Sequence, residues 1–356
     1  MIRAAGEIMR RILFIFIALV WCSTCSWGQE KTGGTIHGLI VGDYFYKTGG
    51  DAQPFGGTSQ FSQPLPKDSS GFQIRRLQLS YDYTFSEEFF TRFLVEGNEQ
   101  SLDPKGRLSL YMKWAYLEWK DLIPMSSLYI GLVPTPTWIN VEGLWGYRSI
   151  EKTITDFRGL GSLTDMGVHL HGTLFSEGSV GYSLMIGNGN AQKPENNNYK
   201  KYYVMLNGKL MQHLSVEAYM DYEPNDQEKD RTTWKLFVSY VEPSFMIGTE
   251  ILEQIQKNQD SLLSDYAASG IALFSWYEFS EHWKVFGRID YYDPNRFSSN
   301  TGFYENFLSF GVDYMPIHDI HLMPNIWINT FTDKSSAGRI KHADIVPRLT
   351  FFFLFH

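Results

Sequence analysis

Period-2 spacing sorts the charged residues of this chain into groups that could act together. Arg76, Arg92, Lys113 and Arg288 fall by strand parity on the same side as the carboxylates Asp82, Glu96, Glu217, Asp221, Asp290 and Asp313. A second group, Arg148, Lys152 and Arg158, lies in the long segment Pro134 to Asp165, between two alternating runs. Cations facing anions across a wet, narrow space set a transverse field, and such a field sorts dissolved ions by charge. The chemistry open to these side chains is electrostatic selection.

Other groupings are sparser. His169-Leu170-His171 turns two imidazoles to one face of a strand, a spacing able to hold a metal, but no third ligand is identifiable and a wet pair without metal is expected. His318 and His321 fall at an expected turn and need no role. Ser and His occur without a Gly-x-Ser-x-Gly elbow, so no catalytic residues and no enzyme are expected. Gly187-Asn188-Gly189 is followed by no helical pattern and is not a phosphate cradle. Both cysteines, Cys22 and Cys25, precede residue 29, so the chain beyond them can form neither a disulfide nor a thiolate metal site. No cofactor is implied.

The elements that must position these groups repeat one unit, a strand of about ten residues followed alternately by a tight turn and a long polar connection. In Phe72 to Phe85, Leu77, Leu79, Tyr81, Tyr83 and Phe85 share one face, and Arg76, Gln78, Ser80, Asp82 and Thr84 the other. Ser86-Glu87-Glu88 turns the chain, and the return strand sets Phe89, Phe93 and Val95 against Arg92, Glu96 and Asn98. Similar turns recur at Ser176-Glu177-Gly178, Ser280-Glu281-His282 and Ile317-His318-Asp319. Strand starts fall near Thr35, Phe72, Phe89, Arg107, Leu128, Gly167, Ser179, Lys201, Ser215, Thr232, Phe245, Tyr266, Trp283, Phe303, Ile320 and Lys341.

An even count near sixteen, with one short end and one long end, predicts an all-β, transmembrane, antiparallel up-and-down barrel wide enough for an aqueous lumen. A soluble sandwich or propeller would also give many short strands. It would give no reason for aromatics to gather at strand ends, as they do at Tyr81/Tyr83/Phe85, Trp114/Tyr116/Trp119, Trp276/Tyr277/Phe279 and Tyr291/Tyr292. The chain holds 21 Tyr, 26 Phe and 10 Trp, yet its mean hydropathy is slightly polar, as alternating lipid-facing and lumen-facing strands require. In the segment 134–165, Trp138, Leu144, Trp145, Tyr147, Ile150, Ile154 and Phe157 are too apolar for a loop in open water, so it is expected to fold inward as a constriction.

Met9-Arg10-Arg11 followed by the apolar run Ile12 to Trp21 reads as a signal peptide over residues 1–28, with 29–356 forming a single barrel domain. Lipidation at Cys25 is disfavoured, because Cys22-Ser23-Thr24 puts no apolar residue three positions ahead of it. Removing 1–28 leaves 28 basic against 38 acidic residues, out of 31 and 39, so nucleic acid is not an expected partner. Leu349 to Phe355 ends the chain as an aromatic strand similar to the signal read by the barrel-assembly machinery, although His356 stands last.

Three segments resemble the phosphate-selective porin O and P family: Gly71-Phe-Gln-Ile-Arg-Arg-Leu-Gln-Leu79, Tyr129-Ile-Gly-Leu-Val-Pro134, and Trp145-Gly-Tyr-Arg-Ser149 with Asp156 to Gly161. The resemblance implies a sixteen-stranded outer-membrane porin of a Gram-negative bacterium, often a homotrimer, in contact with outer-membrane lipids and open to small hydrophilic solutes or ions. It also implies a ladder of lumen arginines and lysines that passes phosphate, since a guanidinium offers forked donors to phosphate oxygens. Only part of such a ladder is present, and the interleaved carboxylates point instead to a general diffusion channel. The alternative is an occluded structural or adhesin-type barrel, which Phe55, Phe61, Trp138 and Trp145 would support if they plugged the lumen.

Overall fold

Strands with one apolar and one polar face satisfy all their backbone groups in lipid only by closing on themselves. A computed structural model, which describes residues 32–51, 65–98, 101–175, 179–259, 264–298, 301–335 and 337–356, shows that closure. The segment 1–28, the turn Ser176-Glu177-Gly178, Phe55 and Phe61 lie outside the described residues.

The first eight described strands are β1 (Gly33–Tyr46), β2 (Ser70–Thr84), β3 (Phe89–Asn98), β4 (Tyr111–Ile123), β5 (Ser126–Pro134), β6 (Thr164–Thr173), β7 (Val180–Gly187) and β8 (Lys201–Lys209). They are followed by β9 (Leu214–Glu223), β10 (Arg231–Glu242), β11 (Phe245–Gln256), β12 (Tyr266–Ser280), β13 (Trp283–Asp293), β14 (Phe303–Ile317), β15 (Ile320–Asp333) and β16 (Asp344–Phe355). Each pairs antiparallel with its sequence neighbours, and β1 closes on β16 from Gly38 opposite Phe355 to Phe45 opposite Arg348. Sixteen strands match the sequence expectation, and most starts agree within two residues. β4 begins at Tyr111 instead of Arg107, and β6 and β16 each shift by three, at Thr164 and Asp344.

The outer wall is built for lipid. Val204, Leu206, Leu184, Ile186, Ile271, Leu273, Ile289 and Leu308 form an exposed aliphatic band. Aromatic rings flank it at the turn end, where Phe89 meets Trp119 and Trp283 meets Tyr314, and at the loop end, where Tyr44 meets Phe72. The expected girdle is corrected at four positions. Trp114, Tyr116, Trp276 and Tyr292 face the interior, because neighbours such as Trp276 and Tyr277 cannot both point outward from one pleated strand.

Two bulges re-aim side chains. Between β1 and β2 the register steps from Val41–Arg76 to Gly42–Ile74, leaving Arg75 as the extra residue. Between β3 and β4 it steps from Leu94–Trp114 to Val95–Met112, leaving Lys113 extra. Arg75 and Arg76 consequently both reach the lumen, as do Lys113 and Trp114.

β5 and β6 are short, at 9 and 10 residues against 15 in β2, β12 and β14. The connection between them turns inward, where its Trp145, Ile150 and Ile154 pack on the wall. It carries two short helices that alternation did not indicate, α1 (Ile139–Trp145) and α2 (Ile154–Phe157). Gly146 closes α1 in the left-handed conformation (φ 71°) that a glycine adopts without strain.

If the aliphatic band spans a bilayer, Val204→Arg should lower barrel stability by about 2–4 kcal/mol, read from urea titration of the protein in lipid vesicles. An unchanged midpoint would show that Val204 does not face lipid.

Candidate functional site

The inward segment is fixed by three kinds of contact. Trp145, Ile150 and Ile154 have no solvent exposure, and they belong to a cluster with Phe237, Phe274 and Phe286 of the wall. Trp145 meets Phe274 edge-on at 5.3 Å, and Tyr147 stacks on Phe286 at 4.2 Å while its hydroxyl donates to Asp313 at 3.1 Å. Burial of each such side chain contributes about 1.5–3 kcal/mol.

The second kind satisfies loop carbonyls, which have no ladder partner where they cross the lumen. Arg75 donates to the carbonyls of Ser149 (2.7 Å) and Ile150 (2.9 Å), and Arg348 to that of Ile150 (3.2 Å). Gln254 reaches Leu160 O at 2.7 Å and Trp276 reaches Leu144 O at 3.1 Å; Arg288 and Lys235 donate to the carbonyls of Lys152 and Thr137. The third kind joins side chains: Arg158 to Glu305 (2.5 Å), Asn140 to Glu217 (2.6 Å), Trp327 to Glu151 (3.0 Å) and Thr155 to Glu250.

At the loop end, the pinned segment bounds a cavity of about 720 Å³. Its charged lining is seven basic residues, Arg75, Arg76, Arg148, Lys152, Lys193, Lys201 and Arg231, against Glu96, Glu151 and Asp156. Several cations are already engaged: Arg148 bridges Glu142 and Asp156, Lys201 lies 3.1 Å from Asp221, and Arg231 pairs with Glu223. Arg76 is 3.8 Å from Glu96 and its buried Nε has no hydrogen-bond partner. Among the described residues, Lys152 and Lys193 make no ion pair. Burial opposes charge on Asp156 and Glu151, but Arg148 and Lys152 beside the first, and Arg75, Arg348 and Lys152 beside the second, hold both carboxyls below their ordinary values.

On the turn side of the segment lie two further cavities of about 410 and 420 Å³. The first is aromatic, lined by Trp114, Tyr116, Tyr129, Trp138, His169, His171 and Tyr182, with Arg92 beside them.

The residues expected at the pore surface are divided by this arrangement. Arg76, Arg148, Lys152 and Glu96 line the loop-side cavity together, and Lys113 contacts Glu96 from behind. Arg92 stands on the turn side in a forked pair with Asp82 (2.7 and 2.6 Å). Arg158 and Arg288 line none of these cavities. Arg158 is buried between the rings of Phe157 and Tyr292 and paired to Glu305; Arg288 is bound to Asp290 (2.8 and 2.5 Å). The wall carboxylates are likewise engaged, Glu217 with Lys235, Asp221 with Lys201, and Asp313 with Tyr147 and His321, so that Glu96 alone of the six expected lines the loop-side cavity. Trp138 and Trp145 do not act as free plugs: Trp145 is buried on the wall and Trp138 stacks on Trp114 at 6.0 Å.

Arg75 and Lys235 were missed. Strict parity put Arg75 on the lipid face, and only a bulge brings it in. Lys235 was legible, since it alternates inward with Thr233, Phe237 and Ser239.

Replacing Arg75 with Met should leave the Ser149 carbonyl unpaired and the Ile150 carbonyl with Arg348 alone, at about 1–3 kcal/mol, and raise amide exchange of residues 147–152 about fivefold or more while the strands stay unchanged. In the wild type, carboxyls held below their unfolded values stabilise the loop fully above those values and lose that contribution as pH falls through the lowered ones. The same exchange, corrected for its intrinsic pH dependence, should be flat from pH 7 to about 5 and rise only under about pH 4.

No protein-family model and no curated protein matches the sequence. Solved structures do match in fold. The anion-selective porin from Comamonas acidovorans aligns with TM-score 0.64 at 11% identity, over 91% of this chain and 100% of that one. Salmonella typhi OmpF gives 0.62 at 10% identity over 90% and 97%, and the outer membrane channel DcaP of Acinetobacter baumannii 0.61 at 13% over 93% and 100%. The chain has a porin-like sixteen-stranded barrel fold.

Proposed function

We propose that this protein is a passive diffusion channel of a Gram-negative outer membrane, passing small hydrophilic solutes with a preference for anions. The carrying observation is the loop-side cavity, where seven basic residues meet three acidic ones although the whole chain carries a formal net charge of −8. Arg75, Arg148, Lys201 and Arg231 are held by Asp43, by Glu142 with Asp156, by Asp221 and by Glu223, which leaves Arg76, Lys152 and Lys193 to set the field. The remaining excess of guanidinium and ammonium groups lowers the barrier for an anion losing part of its hydration shell. Arg76 and Lys152, the least neutralised of the cations first expected there, are the selecting groups in this reading. The porin-like fold, the lipid-facing band and the aromatic belts support the location, and export through the signal segment 1–28 and assembly as a homotrimer belong to the same reading.

Phosphate is one anion that forked arginine donors suit. The lining does not single it out.

Liposome swelling tests the proposal. Vesicles carrying the protein should swell faster in a small organic anion than in a cation of matched size, and Arg76→Gln/Lys152→Gln should reduce that ratio several-fold without slowing a neutral solute of the same size. No swelling in any solute, or an unchanged ratio, would overturn it.

A further inference from the structure

His169 and His171 lie two residues apart on β6 and face the aromatic cavity of about 410 Å³ on the turn side of the pinned segment. The sequence suggested a wet pair; His169 is instead buried and His171 half-buried. His169 is 1% exposed, and the Nε2 atoms of both rings are buried without a hydrogen-bond partner. His169 Nδ1 lies 3.1 Å from the carbonyl oxygen of Pro134. A carbonyl only accepts, so Nδ1 carries the proton and Nε2 presents a bare lone pair. A backbone carbonyl behind the far nitrogen is also what orients imidazoles that bind metals. Tyr129 packs edge-on against both rings, at 5.8 and 4.5 Å, which restricts their rotation.

The spacing fits a shared ion. With a metal–nitrogen bond of about 2.0–2.1 Å and each ring centre about 1.1 Å behind its nitrogen, two imidazoles on one tetrahedral ion have centres about 5.2 Å apart. The ring centres of His169 and His171 are 5.2 Å apart.

We propose that His169 and His171 form a binding site for a divalent transition-metal ion of imidazole preference and near-tetrahedral geometry, zinc foremost, on the turn side of the lumen, with copper(II) as its spectroscopic probe. No group of three or more His, Cys, Asp or Glu suited to a metal occurs among the described residues, so the two Nε2 atoms are the protein's donors and water fills the remaining positions. Hard ions such as magnesium, which take oxygen ligands, are excluded by the donor set. Neutral ligands and water-filled positions make the site reversible, suited to holding an ion in transit. The site does not depend on the channel reading, because binding requires only that the turn-side cavity be reached.

Electron paramagnetic resonance of the purified full chain in detergent, titrated with copper(II), tests it directly. One ion per chain with splitting from two imidazole nitrogens is expected, together with one nitrogen and at least tenfold weaker binding in His169→Gln and in His171→Gln. An aqueous copper spectrum in the wild type would overturn the proposal without reference to any variant. Two-nitrogen binding that persists in the double variant would place the ion at other histidines and overturn it equally.

Discussion

Trp145, Ile150 and Ile154 have no contact with solvent, although all three belong to a connection that crosses the interior of a barrel. Loops this apolar are stable only when something covers them, and here the inner face of β10 to β13 does so with Phe237, Phe274 and Phe286. Everything functional follows from this packing. It decides which part of the lumen is filled, which wall residues become anchors and which remain to meet a solute.

The division of labour among the charges illustrates the point. Arg288, Arg348 and Lys235 are inward cations of the kind that would line a pore, yet each gives a donor to a loop carbonyl. Such carbonyls cannot be left bare in a partly dry interior, and long cationic side chains are the donors able to reach them. Their counter-charges, Asp290 and Glu217 among them, are drawn into the same contacts. What remains at the loop-side cavity is a surface richer in cations than the composition of the chain would suggest.

Alternation in the sequence was enough to locate sixteen strands, because lipid on one side and water on the other force a period of two on nearly every strand, and the apolar residues of the segment 134–165 were enough to expect it to turn inward. It was not enough for the site. Arg75 and Trp114 are turned inward at bulges, and a bulge is a property of two paired strands that neither sequence displays alone. Arg158 and Arg148 look equivalent in sequence, four and ten residues from Ile154 and Trp138 respectively, and their different fates depend on Glu305 and Glu142. Aromatics were legible as a class but not as a direction, so Trp114 and Tyr116 were placed on the wrong side of the wall.

Pinning the loop leaves a cavity with a cationic lining at the loop end, and an anion preference is what such a lining should confer. Its most direct test is the reversal potential of wild-type channels in planar bilayers separating unequal concentrations of potassium chloride. Discrete current steps are expected, with a reversal potential shifted toward the chloride equilibrium value. A shift toward the potassium value, or a folded barrel that never conducts, would contradict it.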